Sequence, residues 1–159
     1  MSYDFNADDI LQMAEQIERN GAIFYRTSAE KVDDASAKTL LLNLAAMEDE
    51  HEKTFAALRA DLCAKEKEST VFDPNGEAAL YLKSLADIRV FFEKQIDSNA
   101  MEDILKEAIT AEKDSIVFYL GMKDLVPQTM GKNRIDAIIK EEMSHIRTLS
   151  KELVALKKG

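Results

Sequence analysis

The sequence has little of what makes turns, cross-links or membrane anchors. Its 159 residues include 5 glycines and 2 prolines. All-β folds need many tight turns, and tight turns lean on those residues. Their scarcity argues against an all-β chain and suits a few long helices. Cys63 is the only cysteine. No intrachain disulfide can form, and no four-cysteine iron or zinc site can be built. A lone thiol fits a reducing cytoplasm, the expected location, and Cys63 itself reads as a small core or surface residue on a helical stretch. No run of 18 apolar residues exists, so no membrane span is expected. The opening Met1-Ser2-Tyr3-Asp4-Phe5 has no basic segment followed by an apolar run, so no signal peptide is expected. Basic clusters are missing too. With a net charge of −9 the surface repels phosphate backbones, and nucleic acid is not an expected partner. Acidity by itself implies solubility and says nothing of catalysis.

What is present is a chain filled with Ala, Leu, Glu and Lys, all good helix formers. Hydrophobic residues make up 46% and charged residues 32%, an ordinary soluble balance. The length fits one domain, residues 1–159, with a real core. Four long helices are predicted, at about 7–32, 36–67, 99–124 and 130–156. Ile10, Leu11, Ala14, Ile17, Ile23 and Phe24 recur at spacings of three and four in the first, which Asn6 or Asp8 would cap. Leu41, Leu44, Ala45, Phe55 and Leu58 mark the buried stripe of the second. The connection Asp33–Ser36 is short enough to make these two antiparallel neighbours. From 68 to 98 the pattern loosens. Asp73-Pro74-Asn75-Gly76 is a turn signal, and short helices fit 77–85 and 87–96. Asn99-Ala100-Met101-Glu102 has capping-box-like spacing for the third helix. Pro127 separates it from the fourth.

The informative feature is an internal repeat. At an offset of 94 positions the two halves align without a gap. Glu18 meets Glu112, Phe24-Tyr25 meets Phe118-Tyr119, Glu48 meets Glu142, and His51 meets His145. Apolar positions follow, including Ile10/Ile104, Leu11/Leu105, Ala14/Ala108, Ile23/Val117 and Leu44/Ile138. Most other acids do not: Glu15 meets Ile109, Glu50 meets Ser144, and Glu52 meets Ile146. Asp9/Asp103 and Glu30/Asp124 do pair, near helix ends, where capping or solvent explains them.

Each half therefore supplies one Glu on its first helix and Glu-x-x-His on its second. Residues three apart lie about 60° apart around a helix, so both can face one centre. Four helices then aim four carboxylates and two imidazoles inward. Carboxylates can bridge two cations, and each imidazole can complete one cation's shell. A single Glu-x-x-His would be weak evidence, but the chain has only two histidines and both sit in this pattern. An ancestral duplication could preserve the positions without metal, yet burying four acids and two histidines without ligands costs several kcal/mol, on the order expected for unpaired polar groups. Tyr25 and Tyr119 lie seven residues after Glu18 and Glu112, within about 20° of them around the helix. Each phenol can hydrogen-bond a ligating carboxylate on a neighbouring helix; the alternative is an amphipathic core tyrosine. Phe24, Phe118, Met47 and Met143 read as core packing.

The segments Ile17–Tyr25, Met47–His51, Ala111–Tyr119 and Lys140–His145 resemble the rubrerythrin-like branch of the ferritin-like superfamily, over nearly the whole chain apart from the crossover. The resemblance implies an all-α, ferritin-like four-helix bundle with one long crossover, 68–98, between helices two and three. It implies a di-iron site with Glu18 and Glu112 as terminal ligands, Glu48 and Glu142 as bridges, and His51 and His145 one per iron. It further implies reaction with hydrogen peroxide or dioxygen. Manganese suits the same oxygen and imidazole donors; structural zinc would usually show four-coordinate Cys/His ligation.

Two departures matter. Full-length rubrerythrins carry a rubredoxin-like cysteine domain that delivers electrons. This sequence has none, so an external donor such as a rubredoxin-like protein is the expected partner. Rubrerythrins also carry an extra Glu three residues after the third-helix ligand; here that place is Ser115, and its mirror is Gly21. The first functional expectation is thus a di-iron peroxidase or oxidase, working as a homodimer. The others are an iron-handling ferroxidase or store, and a helical interaction module with a structural di-metal site.

Overall fold

Residues 7–62, 80, 100–123 and 132–158 are described by the structure, a computed structural model. Helix α1 spans Ala7–Lys31. Its buried residues Ile10, Leu11, Ala14, Ile17, Glu18, Gly21, Phe24, Tyr25 and Ser28 recur every three or four positions, so one face turns inward. Ile23 does not belong to that face. It stands one position from Phe24, about 100° around the helix, and is 55% exposed. Asp8 lies inside the first turn rather than capping it, where its charge complements the helix dipole. Asn6, the other expected cap, is outside the described residues.

Helix α2 spans Ala35–Ala60. Asp34 caps it: the backbone there is extended, and the carboxylate accepts a hydrogen bond from the Ala37 amide at 2.8 Å. The helix thus begins one residue before the expected Ser36. It also ends well short of Lys67. Asp61 is the C-cap, its amide bonded to the Ala57 carbonyl, and the Leu62 amide turns back to Arg59. Leu58 and Leu62 are buried at this end of the described helix pair. Residues 63–67 are outside the described set.

Ion pairs fix how α1 and α2 run. Arg59, near the end of α2, holds Asp8 at 2.7 Å and Glu15 at 3.0 Å near the start of α1. Arg19 holds Glu52 at 2.6 Å, and Arg26 pairs with Asp49. The two helices are antiparallel, as a connection of residues 32–34 requires.

Helix α3 spans Met101–Met122 and α4 spans Lys132–Lys158. The N-cap of α3 is Ala100, whose methyl group can accept nothing; Asn99 is outside the described residues. Glu102 and Asp103 in the first turn place negative charge at the positive end of the helix instead. Lys123, just past α3, pairs with Asp136 near the start of α4 at 2.5 Å, so this pair is antiparallel as well. The expected start of α4 at Met130 lies outside the described residues, and the helix runs on to Lys158, two beyond the expected Leu156. Lys157 and Lys158 in its last turn suit the negative end of the dipole.

Each antiparallel pair packs along its length, and α1 then adjoins α3 while α2 adjoins α4. The result is an all-α four-helix bundle, with no strand among the described residues. None of its described helices is long and apolar enough to cross a membrane. Cys63, the turn at 73–76, the predicted short helices, Asp124, Pro127 and Met130 lie outside the described residues, apart from Leu80, which is helical. Phe24 and Phe118 are core residues, each edge-on to the following tyrosine with ring centroids 5.4 and 5.9 Å apart. Met47 and Met143 are not: they are 38% and 49% exposed, because each stands beside a buried Glu and so points about 100° away from it.

Candidate metal centre

At mid-bundle every helix turns acid inward. Glu18 comes from α1, Glu48 and His51 from α2, Glu112 from α3, and Glu142 and His145 from α4. All six are buried, none more than 2% exposed. They fall into two groups. Glu18, Glu48, His51 and Glu142 offer ligand atoms within 4.8 Å of one another, and so do Glu48, Glu112, Glu142 and His145. Glu48 and Glu142 belong to both. The repeat is therefore a repeat in space: each group has its own Glu and His, and the two share a pair of carboxylates.

Both imidazoles turn Nδ1 toward the cluster. His51 Nδ1 is 2.9 Å from Glu142, and 3.4 Å from both Glu18 and Glu48. His145 Nδ1 is 3.1 Å from Glu142, 3.4 Å from Glu112 and 3.7 Å from Glu48. The rings are nearly parallel, 5.7 Å apart. Close as these atoms are, they do not satisfy one another. Glu48 Oε1, Glu112 Oε2, both oxygens of Glu142, and Nδ1 of both histidines are buried without a hydrogen-bond partner. A native core does not usually leave so many lone pairs idle. All of them belong to donors that hard and borderline cations prefer.

The two tyrosines cross between the halves. Tyr25 on α1 donates to Glu112 on α3 at 2.5 Å, and Tyr119 on α3 donates to Glu18 on α1. Each phenol thus steadies the non-shared Glu of the other half. Burial pushes both hydroxyls well up from their ordinary value, helped first by Glu112 for Tyr25 and by Glu18 for Tyr119. They stay protonated and keep donating.

Charge in the cluster settles according to burial and proximity. Burial raises Glu48 well above the usual carboxylate range, and Glu142, Glu112 and Glu18 push it further. Burial also raises Glu142, followed by the charges of Glu112 and Glu18. Glu112 goes the other way: burial opposes its ionisation, but the close approach of Glu142 and His145 and the hydrogen bond from Tyr25 outweigh it. Burial would lower both imidazoles. Glu142 and Glu18 overcome it to lift His51 to about 11, and Glu112 and Glu142 lift His145 to about 10. The metal-free cluster balances its acids with protons, and cations can take the place of those protons. The residues present fit a pair of cations.

A family model for rubrerythrin matches residues 9–153. The chain belongs to the rubrerythrin family. No curated protein matches this rubrerythrin-family chain in sequence. Among solved structures it is similar to a Thermotoga maritima protein assigned to the ferritin-like diiron-carboxylate proteins. The two share 24% identity over 96% of this chain and 97% of that one, with a TM-score of 0.70. At that identity the likeness is one of fold, and the fold is the ferritin-like bundle.

Two features of this rubrerythrin-family site were not legible from spacing. Ser115 is buried, and its hydroxyl donates to the Ala111 carbonyl of its own helix at 3.0 Å. Glu141 reaches across from α4 to His51, its Oε2 lying 2.5 Å from Nε2. Its pairing with Met47 in the repeat gave no hint, because most other acids on these helices also lack an acidic counterpart.

Proposed function

We propose that the chain is a di-iron carboxylate oxidoreductase that reacts with hydrogen peroxide or dioxygen. The observation that carries this reading is the pair of four-residue groups sharing Glu48 and Glu142, with their inward atoms left unpaired. Glu18 and His51 would hold one ion and Glu112 and His145 the other, and Glu48 and Glu142, which belong to both groups, would be shared between them. Ferrous ions held there would supply the electrons that reduce an O–O bond. Manganese suits the same donors, and metal supply decides between them.

The chain's own residues do the rest. Tyr25 and Tyr119 hold Glu112 and Glu18 in orientation. The apolar bundle around the cluster, including Phe55 packed 5.1 Å from Tyr119, limits access of water. Ser115 offers a hydroxyl, not a carboxylate, so no extra anionic ligand comes from that position. These 159 residues hold one cysteine and no cysteine cluster, and a rubredoxin-like protein is the proposed source of electrons for repeated turnover.

Stopped-flow mixing of diferrous protein with peroxide tests the reading. Oxidation of both irons is expected in a single exposure, with sustained turnover only when a reductant is added. Ser115→Glu should oxidise faster than the parent. A parent inert to both peroxide and dioxygen would overturn the oxidoreductase reading in favour of iron handling or a structural site.

A further inference from the structure

The six inward-facing side chains are matched between the halves, but their support is not. His51 turns Nδ1 to the cluster, which leaves Nε2 facing outward, and there Glu141 Oε2 lies 2.5 Å away. His145 is oriented in the same way, yet its Nε2 is buried with no hydrogen-bond partner among the described residues. The repeat explains the difference. Glu141 immediately precedes Glu142, and the residue in the same place before Glu48 is Met47. A thioether is a poor acceptor for an imidazole N–H. One half of the bundle thus has a carboxylate behind its histidine and the other does not.

We propose that Glu141 is a positioning residue that makes the two metal sites unequal, so that the site built on His51 binds its cation more tightly than the site built on His145. The inference rests on the two-metal reading above. A carboxylate that accepts the outer N–H of a ligating imidazole fixes the ring's tautomer and orientation, and it makes the inward nitrogen a better electron donor. Removing such a partner typically weakens a metal site by about 10–100-fold. The Glu141 side chain is 52% exposed, so solvent weakens its field, and the lower end of that range, about tenfold, is expected here. Its exposure also means that substitution leaves the apolar core untouched.

The test is an anaerobic titration of the metal-free full chain with cobalt(II), followed by visible absorption and calorimetry. Two ions should bind in two steps, the first about tenfold tighter or more. His51→Ala should remove the tight step, and His145→Ala the weak one. Glu141→Ala should weaken the first step about tenfold and leave the second unchanged. Glu141→Gln, which keeps an acceptor but not the charge, should fall between. Met47→Glu should tighten the second step. If Glu141→Ala leaves both constants as they were, or weakens both equally, Glu141 does not support one site and the inference fails while the two-metal reading stands. Equal weakening would show that Glu141 acts only as a nearby negative charge. Uptake of fewer than two ions by the parent would overturn the two-metal reading, and this inference with it. Melting of each metal-free variant checks that it is folded, and Glu141→Ala decides the matter even if Met47→Glu does not fold.

Discussion

Glu142 lies where desolvation and repulsion meet: burial, then Glu112 and Glu18, hold its carboxyl well above the usual range. On the proposed two-metal reading Glu142 is kept for ligation at that cost, and its replacement should improve stability alone. Glu142→Gln removes an acid but keeps the shape. The metal-free variant is expected to gain about 1 kcal/mol, the low end for replacing buried charge. That corresponds to a melting temperature about 2–4 °C higher for a chain of this size, and scanning calorimetry reads it. The same variant should fail to hold two ions. A lower melting temperature would mean that Glu142 is a stabilising partner of the histidines rather than a ligand held in reserve. Tyr25 presents the opposite case. Tyr25→Phe leaves Glu112 Oε1 without its phenol donor in a buried site, so a loss of about 1–3 kcal/mol is expected in denaturant unfolding. A variant as stable as the parent would reduce Tyr25 to a packing residue.

Between the residue and the bundle stand the helix ends and faces. Asp34 caps α2 through the Ala37 amide, and Asp34→Ala should cost about 1 kcal/mol. That loss should appear in urea unfolding of the metal-free chain without a change in metal stoichiometry, because the cap is far along α2 from Glu48. Loss of metal binding together with stability would show that the α2 end and the site are coupled. The elements also show what a sequence can and cannot reveal. The stripe Leu41, Leu44, Phe55 and Leu58 was readable because a period of 3.6 must bury one face. The four site helices were readable because each carries a strictly placed Glu or Glu-x-x-His. The end of α2 at Ala60 was not, since the alanine and lysine that follow in the sequence favour helix and announce no stop. Nor was the exposure of Ile23, Met47 and Met143: apolar character announces burial only when the residue lies on the right side of the helix, and each of these is one step around from a buried neighbour. Glu141 was hidden for a related reason. It resembles any surface acid until the bundle brings α2 against α4 and places His51 within its reach.

For the molecule as a whole, the cluster ties together two antiparallel helix pairs through Tyr25–Glu112, Tyr119–Glu18 and His51–Glu141. Its protonation should therefore be felt in global stability. An unfolded imidazole titrates near 6.5, whereas His51 and His145 hold protons to about 11 and about 10. Their contribution is complete below pH 6.5 and is lost as pH rises through those folded values. Glu48 and Glu142, raised above 4.5, act in the same direction, since the unfolded chain ionises first as pH climbs. Glu112 is lowered and acts oppositely, its stabilisation fading in acid. The metal-free protein should melt at lower temperature as pH rises from about 6.5 toward 10, and excess metal should flatten or reverse that slope, because cations bind the deprotonated ligands. A metal-free protein that gains stability over this range would contradict the charge assignment. Saturating metal should also raise the melting point at neutral pH, by about 2.7 kcal/mol of stability at a hundredfold excess over Kd. All of this depends on six side chains serving two ions, and ion counting tests that directly. The full chain, loaded anaerobically with ferrous ion and weighed by native mass spectrometry, should carry two ions, while His51→Ala and His145→Ala should each carry one under the same conditions. A parent that carries none, or two histidine variants that each still carry two, would contradict the account.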